Sequence, residues 1–218
     1  MILNGLSNMK KLNPNYNIEI SDDNDIEDYL KKNLEDEDYF NIKEKHIVEK
    51  VDLWRLLKMY NEGGIYQDFD RYCNKNFDKI IGTKTKCVLP TYLDVDFSQD
   101  IMISCKNNPL FKKAIKNNIE SRKLKNKGIF DLGPVLYMQT VTEVVFGKKY
   151  NRKPGIQIME TFRDLLNESE FFQTFREEHM NYTFTFEYDK ETFEVGNGKN
   201  KRDFYKEQNI DVWTNYGK

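Results

Sequence analysis

Two short patterns in this sequence combine residue types and spacings that could do chemistry. Asp68-Phe69-Asp70 closes a run of large residues, Ile65-Tyr66-Gln67, just after Gly63-Gly64. In an extended segment, side chains two apart share a face, so both carboxylates point one way and Phe69 the other. Two hard oxygen donors on one face suit Mg²⁺ or Mn²⁺, which can neutralise a diphosphate. The triplet alone is a thin signal, because Asp94-Val95-Asp96 repeats its spacing without a preceding glycine pair. Upstream, Asp52 and Arg55 stand three apart, on one face of a helix. They could form an intrahelical ion pair, worth about a few tenths of a kcal/mol when exposed. They could instead project toward the edge that carries Asp68. There the arginine would meet phosphate or sugar oxygens, and the aspartate would accept hydrogen bonds from sugar hydroxyls.

These groups need a helix and a strand to bring them together, and the surrounding pattern supplies both. Apolar positions at Val48, Val51, Leu56, Leu57, Met59 and Tyr60 predict a helix over Ile47–Asn61, stopped by Gly63-Gly64. Before it, Asn13-Pro14-Asn15-Tyr16 predicts a turn and Tyr16–Ile20 alternates like a strand. Ser21-Asp22-Asp23-Asn24-Asp25 offers N-caps for a helix through Ile26, Tyr29 and Leu30. This acidic cluster lacks the glycine and distal glutamate of a calcium loop, so it reads as a solvated helix start. After the triplet, Cys87–Pro90 and Ile101–Ser104 read as buried strands. Asn108 caps a helix with Pro109 at its first position, and Gly133-Pro134 opens another running toward Val145. Tyr182–Tyr188 alternates as a strand. Interleaved helices and strands make the class α/β, in one domain over 1–218, with ligands expected at a carboxyl edge of the sheet.

The stretch from Val51 to Asp70 resembles the glycosyltransferases with a DXD sugar-binding motif. These are the initiating α-mannosyltransferases and capsular-sugar transferases, distantly related to the clostridial glucosylating toxins. The family pattern is an aspartate, two residues, an arginine, an apolar helix, Gly-Gly-Ile-Tyr and Asp-x-Asp, all in order here. Weaker likeness lies in Asn13-Pro14-Asn15-Tyr16, in Ile101–Ser104 with Asn108-Pro109-Leu110-Phe111, and in Gly133-Pro134. The resemblance implies a GT-A type fold, a single Rossmann-like domain with a central mixed sheet flanked by helices. It also implies transfer of a sugar, with retention, from a nucleotide-sugar donor (UDP- or GDP-sugar) to a glycan or other hydroxyl acceptor, using Mn²⁺ or Mg²⁺. By that analogy Asp70 binds the metal directly. Asp68 binds it through water, or holds the donor. Asp52 and Arg55 hold the donor sugar, and Tyr66 shapes the pocket. No catalytic nucleophile is assigned. Met1–Met9 do not match the family's first strand, which lines the nucleobase pocket. Ile210–Tyr216 looks like the family's C-terminal segment, with Asp211 where a histidine would stand. Asp211 can still ligate a hard cation, and the Trp213 indole N–H can donate to phosphate.

Composition sets the frame for these readings. The chain has 218 residues, with 34 Lys and Arg against 36 Asp and Glu, a net charge of −2. Near-neutrality removes the electrostatic case for a nucleic-acid binder, and 14% aromatics argue against a disordered chain. No run suits a membrane span and the first residues lack a secretory signal, so a cytoplasmic chain is expected. Cys73, Cys87 and Cys105 fit reduced thiols better than a disulfide or zinc framework. His46 and His179 read as ordinary, partly exposed histidines. Asp100 reads as an acidic loop residue, and the stretch Lys112, Lys113, Lys116, Arg122, Lys123, Lys125, Lys127 as a solvated face. Two alternatives to transfer remain at this level. One is a non-catalytic nucleotide-sugar or glycan binder. The other is a phosphohydrolase or nuclease, which would need more ligands at ordered spacing.

Overall fold

The computed structural model describes residues 2–68, 71–73, 76–79, 81, 87–92, 96–97, 99–124, 127–146, 182–185 and 193–195. In chain order the elements are α1 (Ile2–Leu12), α2 (Asp23–Asn33), α3 (Asp36–Ile42), α4 (Ile47–Asn61), β1 (Gly64–Gln67), β2 (Arg71–Cys73), β3 (Cys87–Tyr92), β4 (Asp96–Phe97), β5 (Ile101–Ser104), α5 (Pro109–Arg122), α6 (Ile129–Leu132), α7 (Pro134–Phe146), β6 (Tyr182–Thr185) and β7 (Phe193–Val195). The fold is mixed α/β. β5 pairs antiparallel with β1 and with β3, and β4 pairs antiparallel with the far end of β3. β6 joins β3 in parallel, and β2 pairs with β7 in a separate ribbon.

Period-2 alternation puts one layer on each face of the main sheet. Cys87, Leu89 and Met102 face α4, α5 and α7, packing with Leu56, Met59, Phe111, Ala114, Tyr137 and Val141. Val88, Ile101, Ile103 and Ile65 face the other way, against Phe77, Met9, Tyr16 and Ile81. A third cluster joins α2 and α3 to α4 through Ile26, Leu30, Ile42, Leu53, Trp54 and Leu57.

Local signals set the element ends. Asp22 caps α2, accepting from the amides of Asn24 and Asp25, while Asp25 accepts from the Asp22 amide at 3.0 Å. That reciprocal capping box is what the acidic cluster does here. His46 is more than a partly exposed histidine: its Nδ1 accepts from the Val48 amide at 3.2 Å and caps α4. Asn108 caps α5 by accepting from the Leu110 amide at 3.0 Å, with Pro109 in the first turn. Gly63 and Gly64 end α4 with φ of 70° and 97°. A side chain on Gly63 would meet the Lys106 amide nitrogen at 2.5 Å, so this corner needs glycine for space as well as conformation. The Tyr60 carbonyl at the end of α4 accepts from the Asn107 amide at 2.7 Å, tying the corner to the turn after β5.

Two further expectations are corrected. Residues 17–20 form no strand: no neighbouring strand pairs with them, Tyr16 is committed to Phe77 and Asp78, and Ile20 is 58% exposed. Alternation without a partner cannot make a ladder. The first residues, which do not match the family's first strand, form a helix, α1, packed against β2. Arg122 is not on a solvated face. Its side chain is 4% exposed and donates to the Glu49 carboxylate at 2.9 Å, the Glu49 carbonyl at 2.8 Å and the Asn118 side chain at 2.7 Å. Among the described residues, no helix is long and apolar enough to cross a membrane.

Candidate functional site

The site grows out of α4. This helix is buried on nearly every side, with Asp52 to Leu57 and Met59 all out of solvent. The two charges three apart on it therefore enter the interior together. Asp52 is 2% exposed and Arg55 5%. Desolvating two ions costs several kcal/mol, so such a pair persists only with further polar partners. Those partners come from three places. Arg55 Nη2 donates to Asp52 Oδ1. Arg55 Nη1 donates to the Gln99 carbonyl at 3.0 Å and to Asp68 Oδ1 at 3.3 Å. Gln99 Nε2 donates to Asp52 Oδ1 at 3.3 Å. The guanidinium also lies 5.3 Å from the centre of the Tyr66 ring.

β1 carries the second half. Tyr66 and Asp68 share a face by strand alternation, and the Tyr66 hydroxyl donates to Asp68 Oδ1. The Tyr66 ring meets Trp54 edge-on at 6.0 Å, locking the strand to the helix. Asp68 lies one residue past β1, but its amide donates to the Asp100 carbonyl at 2.7 Å, extending the β1–β5 pairing to that point. Its side chain is 34% exposed, the open end of an otherwise buried network. Both bonds to this carboxylate fall on Oδ1, and Oδ2 has no partner among the described residues.

Burial and charge act on each group in a definite direction. Burial pushes the Asp52 carboxyl above the usual carboxylate range, against the pull of Arg55. Burial works against the Arg55 charge too, but the surrounding Tyr66, Asp52 and Asp68 oxygens outweigh it and hold the guanidinium protonated. Burial raises the Tyr66 phenol well above its ordinary value, and the Asp68 carboxylate adds to the effect. Tyr66 is thus a neutral donor to Asp68. Asp52 Oδ2 and Arg55 Nε are buried with no hydrogen-bond partner, so this network holds unused polar capacity.

Of the residues singled out in the sequence, Asp52, Arg55, Tyr66 and Asp68 come together here. Asp70, Asp211 and Trp213 lie outside the described residues. Among the described residues no group of three or more His, Cys, Asp or Glu is disposed to hold a metal ion. Two residues escaped sequence reasoning. Gln99 touches both charges of the α4 pair, and nothing in its local sequence marks it. Gly133 lies so close to Asp52 that an added side chain would run into the carboxylate, and would sit 3.2 Å from Gln99 Nε2. The Gly133-Pro134 pair was legible as a helix start. Its closeness to Asp52 was not.

The chain is similar to known proteins over part of its length. Residues 3–86 match the family model described as glycosyltransferase sugar-binding region containing DXD motif. An uncharacterized glycosyltransferase of Acanthamoeba polyphaga mimivirus is 28% identical over 145 residues, 62% of this chain and 55% of the relative. Inositol phosphoceramide mannosyltransferase 1 of Schizosaccharomyces pombe is 30% identical over 70 residues, 32% of this chain and 22% of that protein. The chain thus spans about half the length of the first curated relative and less of the second. Among solved structures, the PaToxG glycosyltransferase superposes with a TM-score of 0.50 at 18% identity, covering 81% of this chain and 70% of that one. That likeness concerns the fold. Residues 3–86, which hold α4, the glycine corner, β1 and Asp68, are thus similar to the glycosyltransferase sugar-binding regions that contain a DXD motif.

Proposed function

We propose that the chain is a metal-dependent, retaining glycosyltransferase of GT-A type, moving a hexose from a UDP- or GDP-sugar to a glycan or other hydroxyl acceptor. The observation that carries this reading is the convergence of Arg55 and Tyr66 on one oxygen of Asp68, at the exposed end of a buried charge network. Such a site presents at its open end a carboxylate oriented by fixed donors, which suits a hard cation beside a sugar diphosphate. The donor chemistry fits a hard cation, since Asp68 Oδ2, without a partner among the described residues, is a carboxylate oxygen on a one-third-exposed side chain. Asp68, Asp70 and Asp211 would hold Mn²⁺ or Mg²⁺, which supplies Lewis acidity for the departing nucleoside diphosphate.

The protein's own groups do the rest. Arg55 takes sugar or phosphate oxygens, and Asp52 accepts sugar hydroxyls, its Oδ1 shared with Gln99 and Arg55. Tyr66 orients Asp68 through its hydroxyl. The Trp213 indole donates to phosphate. Incubating the protein with Mn²⁺ and a panel of UDP- and GDP-sugars should release nucleoside diphosphate, and Asp70→Ala should abolish that release. Unchanged turnover in the variant would overturn the metal assignment. One observation favours a second reading, a non-catalytic binder: Asp52 and Arg55 are almost closed to solvent. Saturable binding of a nucleotide sugar with no release across the whole panel would favour it.

A further inference from the structure

Asn13 and Tyr16, from the turn after α1, reach across more than sixty positions of sequence to one short segment, the single helical turn at Phe77–Lys79. Asn13 is 1% exposed. Its Oδ1 accepts from the Phe77 amide at 2.7 Å, and its Nδ2 donates to the Met9 carbonyl at 3.2 Å. Asn76 returns the contact, donating from its side chain to the Leu12 carbonyl at 2.8 Å. The Tyr16 hydroxyl donates to Asp78 at 2.7 Å, and its ring meets Phe77 edge-on at 5.4 Å. That bond to a carboxylate pushes the Tyr16 phenol up to about 12. Phe77 is buried beneath Ile65 of β1 and Ile101 and Ile103 of β5, on the sheet face opposite α4.

The chain that leaves β1 at Asp68 is therefore fixed again a few residues later. Asp68 is held by Arg55, Tyr66 and the Asp100 carbonyl. β2 is held by α1 and by β7, and the turn beyond it by Asn13 and Tyr16. Core packing alone would bury Phe77. It would not need three hydrogen bonds of defined direction between the segment at residues 12–16 and a turn this close to Asp68. Such bonds fix register, and a site must be held to about half an ångström to work.

We propose that Asn13 and Tyr16 form a clasp that positions Asp68, at the end of β1, for its ligand. They act as positioning residues through the Phe77–Lys79 turn. This inference rests on the glycosyltransferase reading and on the metal in it. In both variants the clasp is weakened without touching α4, β1 or any group proposed to meet the donor. Tyr16→Phe keeps the ring on Phe77 and removes the bond to Asp78. Asn13→Ala removes both side-chain bonds.

The test is hydrogen exchange of the full chain, followed by mass spectrometry, with and without Mn²⁺. Peptides covering 66–79 should exchange about tenfold faster in both variants, while β5 and α5 keep wild-type rates. Mn²⁺ should slow exchange over 66–73 in the wild type, with a titration midpoint about three- to tenfold higher in the variants. Glu27→Gln, which removes the charge paired with Lys50 and weakens the bond from Tyr39 at the far end of α4 from the clasp, serves as the control. It should lower the melting temperature yet leave the Mn²⁺ midpoint unmoved. Faster exchange spread evenly over the chain, or a midpoint shift as large in Glu27→Gln, would overturn the clasp. Wild-type exchange that ignores Mn²⁺ would overturn the metal reading itself, a separate outcome because it shows in the unmutated chain.

Discussion

Arg55→Met isolates the energetics on which the site depends. The guanidinium serves three acceptors, Asp52 Oδ1, the Gln99 carbonyl and Asp68 Oδ1, and its side chain is 6% exposed. Methionine keeps most of the volume and removes the charge. Asp52, 2% exposed, is left with the Gln99 amide alone. Removing one partner of a buried pair costs about 3–5 kcal/mol, because the surviving charge is desolvated and uncompensated. A domain of this size holds about 5–15 kcal/mol in all, and each kcal/mol shifts the midpoint by about 2–4 °C. The expected loss is thus about 4 kcal/mol, or roughly 10 °C, by urea unfolding and calorimetry. The pH dependence gives the mechanism away. Burial already raises the Asp52 carboxyl, and loss of Arg55 raises it further. The folded state then binds a proton more tightly than the unfolded chain does. The penalty is therefore full at neutral pH and relieved as pH falls through the raised folded value toward the unfolded one. Asp52→Asn combined with Arg55→Met should recover at least half of the loss. A single-variant cost below about 1 kcal/mol, or a double variant no better than the single, would refute the picture of a desolvated, mutually dependent pair.

Other expectations follow from close approaches and from charge. Gly133→Ala should cost about 1–3 kcal/mol and reduce nucleotide-sugar turnover, because its methyl would displace the Asp52 carboxylate and crowd Gln99. A melting temperature equal to wild type would show that the α6–α7 corner can give way. Gly63→Ala should destabilise by at least about 1–3 kcal/mol, since φ is 70° and the methyl would lie 2.5 Å from the Lys106 amide and 2.8 Å from the Ser104 carbonyl. Gly64→Ala has open space and the strain of φ 97° alone, so it should cost less by the same denaturation assay. Burial of Glu27 opposes its charge, but bonds from Lys50 and Tyr39 win and lower its carboxyl. Its stabilising effect is present above the unfolded carboxylate value and is lost as pH falls through the lowered folded one. Stability curves of wild type and Glu27→Gln should therefore differ at pH 6 and converge in acid.

The elements that make up the site's frame were legible because their signals are local. Apolar spacing and the glycine pair set α4 at Ile47–Asn61, and Asn108-Pro109 set the start of α5. The strand reading of Tyr16–Ile20 failed for a reason no local pattern contains. A strand needs a partner, and here the chain is used as a clasp on the turn at Phe77. Arg122 misled in the same way: flanked by lysines, it read as solvated, yet tertiary packing turns it inward onto Glu49.

By itself the sequence determined the elements that frame the site and the chemistry available: a helix with Asp52 and Arg55 on one face, a glycine stop, and a strand carrying Tyr66 and Asp68 on one side. It left open whether the helical pair was a surface ornament or part of a site, because spacing fixes relative direction and says nothing of what lies there. Tertiary structure takes the pair off the surface. Packing of α4 on all sides removes water from both charges, and the pair must then find compensation in Asp68, Gln99 and Tyr66. Gln99 and Gly133 entered the site only through that folding, since their roles consist of proximity to residues far away in the chain.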